Sequence, residues 1–78
     1  MIIKVLGSGC KKCVALGVAV QHALAQLHLS AEVVKVTDYA DIAAYGVMST
    51  PALVIDETVV SMGKVLSADE VIALLHAR

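Results

Sequence analysis

The 78-residue sequence predicts one α/β domain, spanning 1–78, whose elements run βαβαββα. Three observations carry that expectation. A short Ile- and Val-rich segment stops at Gly7-Ser8-Gly9. A long stripe of helical period then separates it from a second such segment. A capping box precedes the last apolar run. A strand, a long helix and another strand in succession make a βαβ unit, so the two strands are expected to be parallel neighbours.

Taken in order, residues 2–6 read as a buried strand ending in a tight glycine loop. From Lys11 to about Leu29 the spacing is helical: Cys13, Leu16, Val20, Ala23, Leu24 and Leu27 share one face, with Lys11, Ala15, His22 and Gln26 opposite. Gly17 lowers helix propensity, and a close approach is the expected reason for it. Glu32-Val33-Val34-Lys35-Val36 is the second strand. Asp38 is placed to cap a short helix running through Tyr45, with Gly46 at its C′ position. Ala52 to Ile55 forms a third strand entered through Pro51. Asp56-Glu57 turns it into a hairpin with Thr58 to Ser61, although Asp-Glu is not a favoured two-residue turn. Ser67 and Glu70 make the capping box, Leu66 staples onto Val71, and Val71, Leu74 and Leu75 form the last buried stripe.

Composition removes several function classes. Apolar residues are 59% of the chain and charged residues 17%, which is not the profile of a disordered segment. The formal charge of −1 and an aromatic set of Tyr39 and Tyr45 leave no basic, base-stacking surface for nucleic acid. Six residues before a glycine do not make a secretory signal, so a cytoplasmic location is expected. Cys13 to Ala31 carries no Asp, Glu, Lys or Arg, but Gln21, His22, Gln26, His28 and Ser30 break the run. It reads as an amphipathic helix and not as a membrane span.

The chemistry concentrates in Gly9-Cys10-Lys11-Lys12-Cys13. Cys10 is expected at the tip of the first helix, where unpaired amides and the macrodipole favour an anion. Lys11 and Lys12 add positive charge, and both effects stabilise a thiolate, the reactive form. Cys13 lies one turn on, in the buried stripe. That division suits dithiol exchange: Cys10 attacks a disulfide, and Cys13 resolves the mixed disulfide. A purely structural bridge is the poorer reading, because a loop of two intervening residues gains almost nothing from closure. Structural zinc usually needs four ligands, and His22, His28 and His76 lie far along the chain as expected surface residues. A two-thiolate Cu(I) site stays compatible with composition.

Thr50-Pro51 is the second informative feature. This proline is the only one, and it precedes a strand that reads as internal, where proline cannot donate to a ladder. Residues alone leave the bond cis or trans, with trans the commoner form.

Together, Gly7-Ser8-Gly9-Cys10-Lys11-Lys12-Cys13, the segment Tyr45-Gly46-Val47-Met48-Ser49-Thr50-Pro51-Ala52, and Gly63-Lys64 resemble the thioredoxin superfamily. Within it the chain is similar to the small, glutaredoxin-sized redox-active disulfide proteins. The resemblance implies a thioredoxin-like fold, with a four-stranded mixed sheet flanked by three helices. It implies a cis Thr50–Pro51 bond beside the cysteine pair, and Gly63 as a point of close backbone approach. It also implies Cys10 as nucleophile, Cys13 as resolving thiol, no bound cofactor beyond the Cys10–Cys13 disulfide, and electron exchange with a flavin-dependent reductase and oxidised protein substrates. Some positions depart from the pattern. The central pair is Lys-Lys, no tryptophan precedes the motif, and Lys4 stands where thioredoxin has a buried acid. Met62-Gly63 replaces the Gly-Gly of glutaredoxins. The alternative is a copper chaperone of the heavy-metal-associated type. Those domains run βαββαβ and place a methionine where Ser8 stands. A thiol sensor subunit is a third reading, and the chain is expected to be a monomer or weak dimer.

Overall fold

A computed structural model of the protein describes residues 1–7, 9 and 11–76. Its elements are β1 (Ile2–Leu6), α1 (Lys11–Leu27), β2 (Glu32–Val36), α2 (Tyr39–Ala44), β3 (Ala52–Ile55), β4 (Thr58–Met62) and α3 (Ala68–His76). The strands form one mixed sheet in the order β2-β1-β3-β4. β1 pairs parallel with β2 and antiparallel with β3, and β3 pairs antiparallel with β4. This is the four-stranded, three-helix thioredoxin-like architecture.

Alternation along β1 sorts the core. Ile3 and Val5 join Leu53 and Ile55 of β3 against Leu16, Val20, Ala23 and Leu24 of α1 and Val71 and Leu75 of α3. Leu6, Ala52 and Val54 face the other way and meet Ile42 of α2. β3 is buried at every residue, as an internal strand covered on both faces should be.

The helix ends follow from local chemistry. α1 stops at Leu27, two residues before the sequence reading put it, because His28 adopts a left-handed φ of 51°. The Leu29 amide then donates to the Leu24 carbonyl at 3.0 Å and the His28 amide to Ala25 at 3.3 Å, a Schellman motif with histidine in the usual glycine position. Asp38 caps α2 by accepting from the Ala40 amide at 2.8 Å, and Gly46 follows with φ 74°. The capping box of α3 is reciprocal: Glu70 N–H donates to Ser67 Oγ, and Ser67 N–H to Glu70 Oε1, both at 3.2 Å.

Two expectations need correction. A Cβ at Gly17 would meet nothing within 4 Å, so close approach does not explain this glycine. β4 extends one residue past Ser61 to Met62 and carries a bulge, with Leu53 opposite Ser61 and Val54 opposite Val59, so Val60 is the extra residue.

The unfavoured Asp56-Glu57 turn forms nonetheless. Both residues take positive φ, 48° and 66°, as a type I′ hairpin turn requires. Tertiary bonds hold them there. Ile2 N–H donates to Asp56 Oδ1 at 3.0 Å, and Asp56 N–H donates to the Ile2 carbonyl at 2.9 Å. Glu57 accepts from Lys4 Nζ at 2.6 Å and from the Tyr45 hydroxyl.

Candidate active site

The C-terminal end of β1 organises the site. Gly7 follows the strand, and its amide donates to the Val36 carbonyl at 2.9 Å, fastening β1 to the end of β2. Its backbone is ordinary, yet only glycine fits. A Cβ there would collide with Cys13 Sγ and would stand 3.2 Å from Cys13 Cβ and 3.9 Å from Thr50 Cβ. Gly7 therefore lies between the cysteine on α1 and the segment entering β3, and brings the two together.

Cys13 is buried, on the stripe shared with Leu16 and Val20. Thr50 is exposed and Pro51 fully buried, and the peptide bond between them is cis. Gly63 closes the other side. Its amide donates to the Pro51 carbonyl at 2.9 Å, its φ is 73°, and a Cβ there would press within 3.1 Å of Ser49 Cβ. Lys11 and Lys12 are exposed on the first turn of α1. Of the sequence-derived site residues, Cys13 and Thr50 thus meet at Gly7, and Gly63 is tied to Pro51, the residue after Thr50. Cys10 and Ser8 lie outside the described residues. Met48, just ahead of Thr50, is 91% exposed.

Lys4 occupies a different environment. It projects from the α2 face of β1, bonded to Tyr45 Oη and Glu57 Oε1, each at 2.6 Å, with its ammonium 5.3 Å from the Tyr45 ring centroid. The Glu57 and Tyr45 hydrogen bonds hold the Lys4 ammonium well above the usual lysine range, and the Lys4 bond holds the Glu57 carboxyl below its ordinary range. Cys13 and Val5 lie on the opposite face, so Lys4 takes no part in the cysteine environment.

The histidines are all exposed, and no group of three metal-ligating side chains occurs among the described residues. Nor is any helix of the described residues long and apolar enough to cross a membrane. Sequence reasoning missed the Gly7–Cys13 contact and the cavity beside Cys13. A glycine directly after a buried strand, six residues ahead of a cysteine on the packed helical stripe, was the signal for the first.

A thioredoxin-domain profile matches residues 1–76. The chain belongs to the thioredoxin family. It is 38% identical to a thioredoxin of Methanocaldococcus jannaschii over 71 residues, covering 91% of this chain and 81% of that protein. It is 31% identical to a thioredoxin of Methanothermobacter thermautotrophicus over 75 residues, covering 96% and 97%. A solved structure of a malarial protein superposes with a TM-score of 0.71 over 97% of this chain and 93% of that one, at 17% identity, a likeness of fold alone. Membership of the thioredoxin family places the chain, in general terms, among thiol–disulfide oxidoreductases.

Proposed function

We propose that this thioredoxin-family chain exchanges electrons with protein disulfides through Cys10 and Cys13. The observation that carries the reading is the packing of Cys13 against Gly7 within reach of Thr50, so that the resolving sulfur and the client-binding segment share one small region. The Cys10 thiolate attacks a client disulfide. One client sulfur leaves as a thiolate, and a mixed disulfide joins Cys10 to the other. Cys13, having released its proton, attacks Cys10 Sγ, forms the Cys10–Cys13 disulfide and expels the second client thiolate. The client leaves reduced by two electrons. A flavin-dependent reductase of the kind that serves thioredoxins returns those electrons, in a reducing cytoplasmic compartment and with no bound cofactor.

Thr50, exposed beside buried Pro51, pairs with the client backbone, and Gly63 permits close approach on the far side. Exposed Met48 offers an adaptable apolar contact. Lys11 and Lys12 stabilise the Cys10 thiolate, which favours the reduced form and makes the disulfide a better oxidant.

A redox titration with thiol alkylation on metal-free protein tests this reading. The expected result is a reversible two-electron transition, lowered by about 30 mV when Lys11 and Lys12 are both changed to Gln. Cys10→Ser should abolish disulfide reduction. Undiminished activity in that variant, or no reversible disulfide in the wild-type chain, would remove the proposal. Metal-free conditions separate it from Cu(I) carriage, which needs the same two sulfurs.

A further inference from the structure

The segment that leads to Thr50 and Pro51, residues 46–51, belongs to no helix or strand, so its position depends on what holds its two ends. Downstream the tie is direct: the Gly63 amide donates to the Pro51 carbonyl at 2.9 Å. In between, Val47 packs partly buried against the layer of Leu6, Ala52 and Val54, and Ser49 lies against Gly63. Upstream the segment leaves α2 at Tyr45. That helix has six residues, and Ile42 is its buried side chain, so packing alone fixes its end poorly.

A second tie reaches this upstream end. Lys4 Nζ donates to Tyr45 Oη at 2.6 Å, and the Tyr45 hydroxyl donates to Glu57 Oε2 at 3.1 Å. Lys4 also donates to Glu57 Oε1 at 2.6 Å. Lys4 lies midway along β1, opposite Val34 of β2 and Val54 of β3, in the interior of the sheet. Glu57 lies in the turn just after β3, the strand that the segment enters. One ammonium thus joins the end of α2, an inner strand and the far end of β3. The 46–51 segment is the part of the chain enclosed between the first and the last of these points.

We propose that Lys4 and Tyr45 are positioning residues for client binding: their bond fixes the start of the 46–51 segment and so sets Thr50 in place before a client arrives. This rests on the dithiol reading above, in which Thr50 pairs with client backbone. A segment already set need not be ordered on binding, and that ordering subtracts directly from affinity. Both side chains act from the α2 side of the sheet, whereas Cys13 packs on the α1 side beside Val5. The tie is therefore expected to govern client capture and leave the sulfur chemistry unchanged. Its contribution to stability is small, because the cluster lies at a solvated rim.

The test mixes prereduced protein with an excess of insulin or of cystamine and follows thiol loss by timed alkylation. Insulin offers a polypeptide backbone to Thr50, and cystamine offers none. Tyr45→Phe keeps the ring, whose centroid lies 5.3 Å from the Lys4 ammonium, and removes the hydroxyl alone. This variant should lower the second-order rate constant with insulin by roughly three- to tenfold and change that with cystamine by less than about twofold. Lys4→Met should act alike. The double variant should lose no more than either single one, because both cut the same tie. The reduction potential of the cysteine pair should stay at the wild-type value throughout, which separates positioning from an effect on the thiols. Circular dichroism checks that the variants fold. An insulin rate unchanged in Tyr45→Phe, equal losses on the two disulfides, or a shifted potential overturns the assignment. The wild-type chain reports separately on the dithiol reading. A wild type that reduces both disulfides, beside a Tyr45→Phe variant indistinguishable from it, sinks the tether alone.

Discussion

On the α1 and α3 side of the sheet, Ile3, Val5, Leu53 and Ile55 meet Leu16, Val20 and Val71 in an aliphatic layer. On the α2 side the layer is Leu6, Ala52, Val54 and Ile42, bordered by the Lys4–Tyr45–Glu57 cluster. Helix length accounts for the difference. A 17-residue helix and a nine-residue helix together cover one face, whereas the six residues of α2 cannot cover the other. Where apolar cover runs out, a lysine stem lies along the sheet and its ammonium is neutralised at the rim. Cys13 belongs to the fully covered face. Its side chain packs against Gly7 there, which suits the resolving role proposed for it, a role in which geometry must be kept.

Truncation should expose the contrast most sharply. Leu16→Ala is expected to cost about 3–4 kcal/mol and Ile42→Ala about 2 kcal/mol, since a cavity in the thicker layer collapses less readily. Urea denaturation measures both, and equal losses would mean that the two faces are packed alike. A smaller effect of opposite sign is expected at Gly17, inside α1 and with open space around its Cα. Gly17→Ala should stabilise the chain by about 0.5–1 kcal/mol, read as a rise in thermal midpoint.

The smallest effect belongs to the polar rim. The Lys4–Glu57 pair is half open to solvent, with side-chain exposures of 22% and 64%, so screening limits its worth. Its sign is still fixed. Glu57 is held below its ordinary value of 4.5, so its contribution is present above that pH and disappears as acid titrates it. Lys4 is held above the usual lysine value of 10.5, so its share is present below that pH and fades only in stronger alkali. The stability gap between wild type and Glu57→Gln should be level near neutral pH and close as the pH falls below 4.5 and the carboxylate takes up its proton. A gap that persists in acid would show that the carboxylate charge is not its source.

Element order, the cap of α2 and the capping box of α3 could be read from residues, because each rests on contacts within a few positions of the chain. Cys13 was placed correctly on the buried stripe for the same reason. Features that depend on a distant partner were not legible. Nothing near Gly17 in the chain says that its surroundings are open. His28 is a local feature that was missed for another reason: it takes the left-handed position of the helix end, which normally carries glycine. The Asp56-Glu57 turn reads as unfavourable until Ile2, Lys4 and Tyr45, all remote in sequence, supply its bonds.

The bulge at Val60 has a consequence for neighbouring molecules. β4 is an outer strand of the sheet, and its irregular segment turns both Val60 and Ser61 toward α3. A strand arriving from another copy would find hydrogen-bonding groups out of step with its own repeat, so this border is a poor template for stacking chains into aggregates.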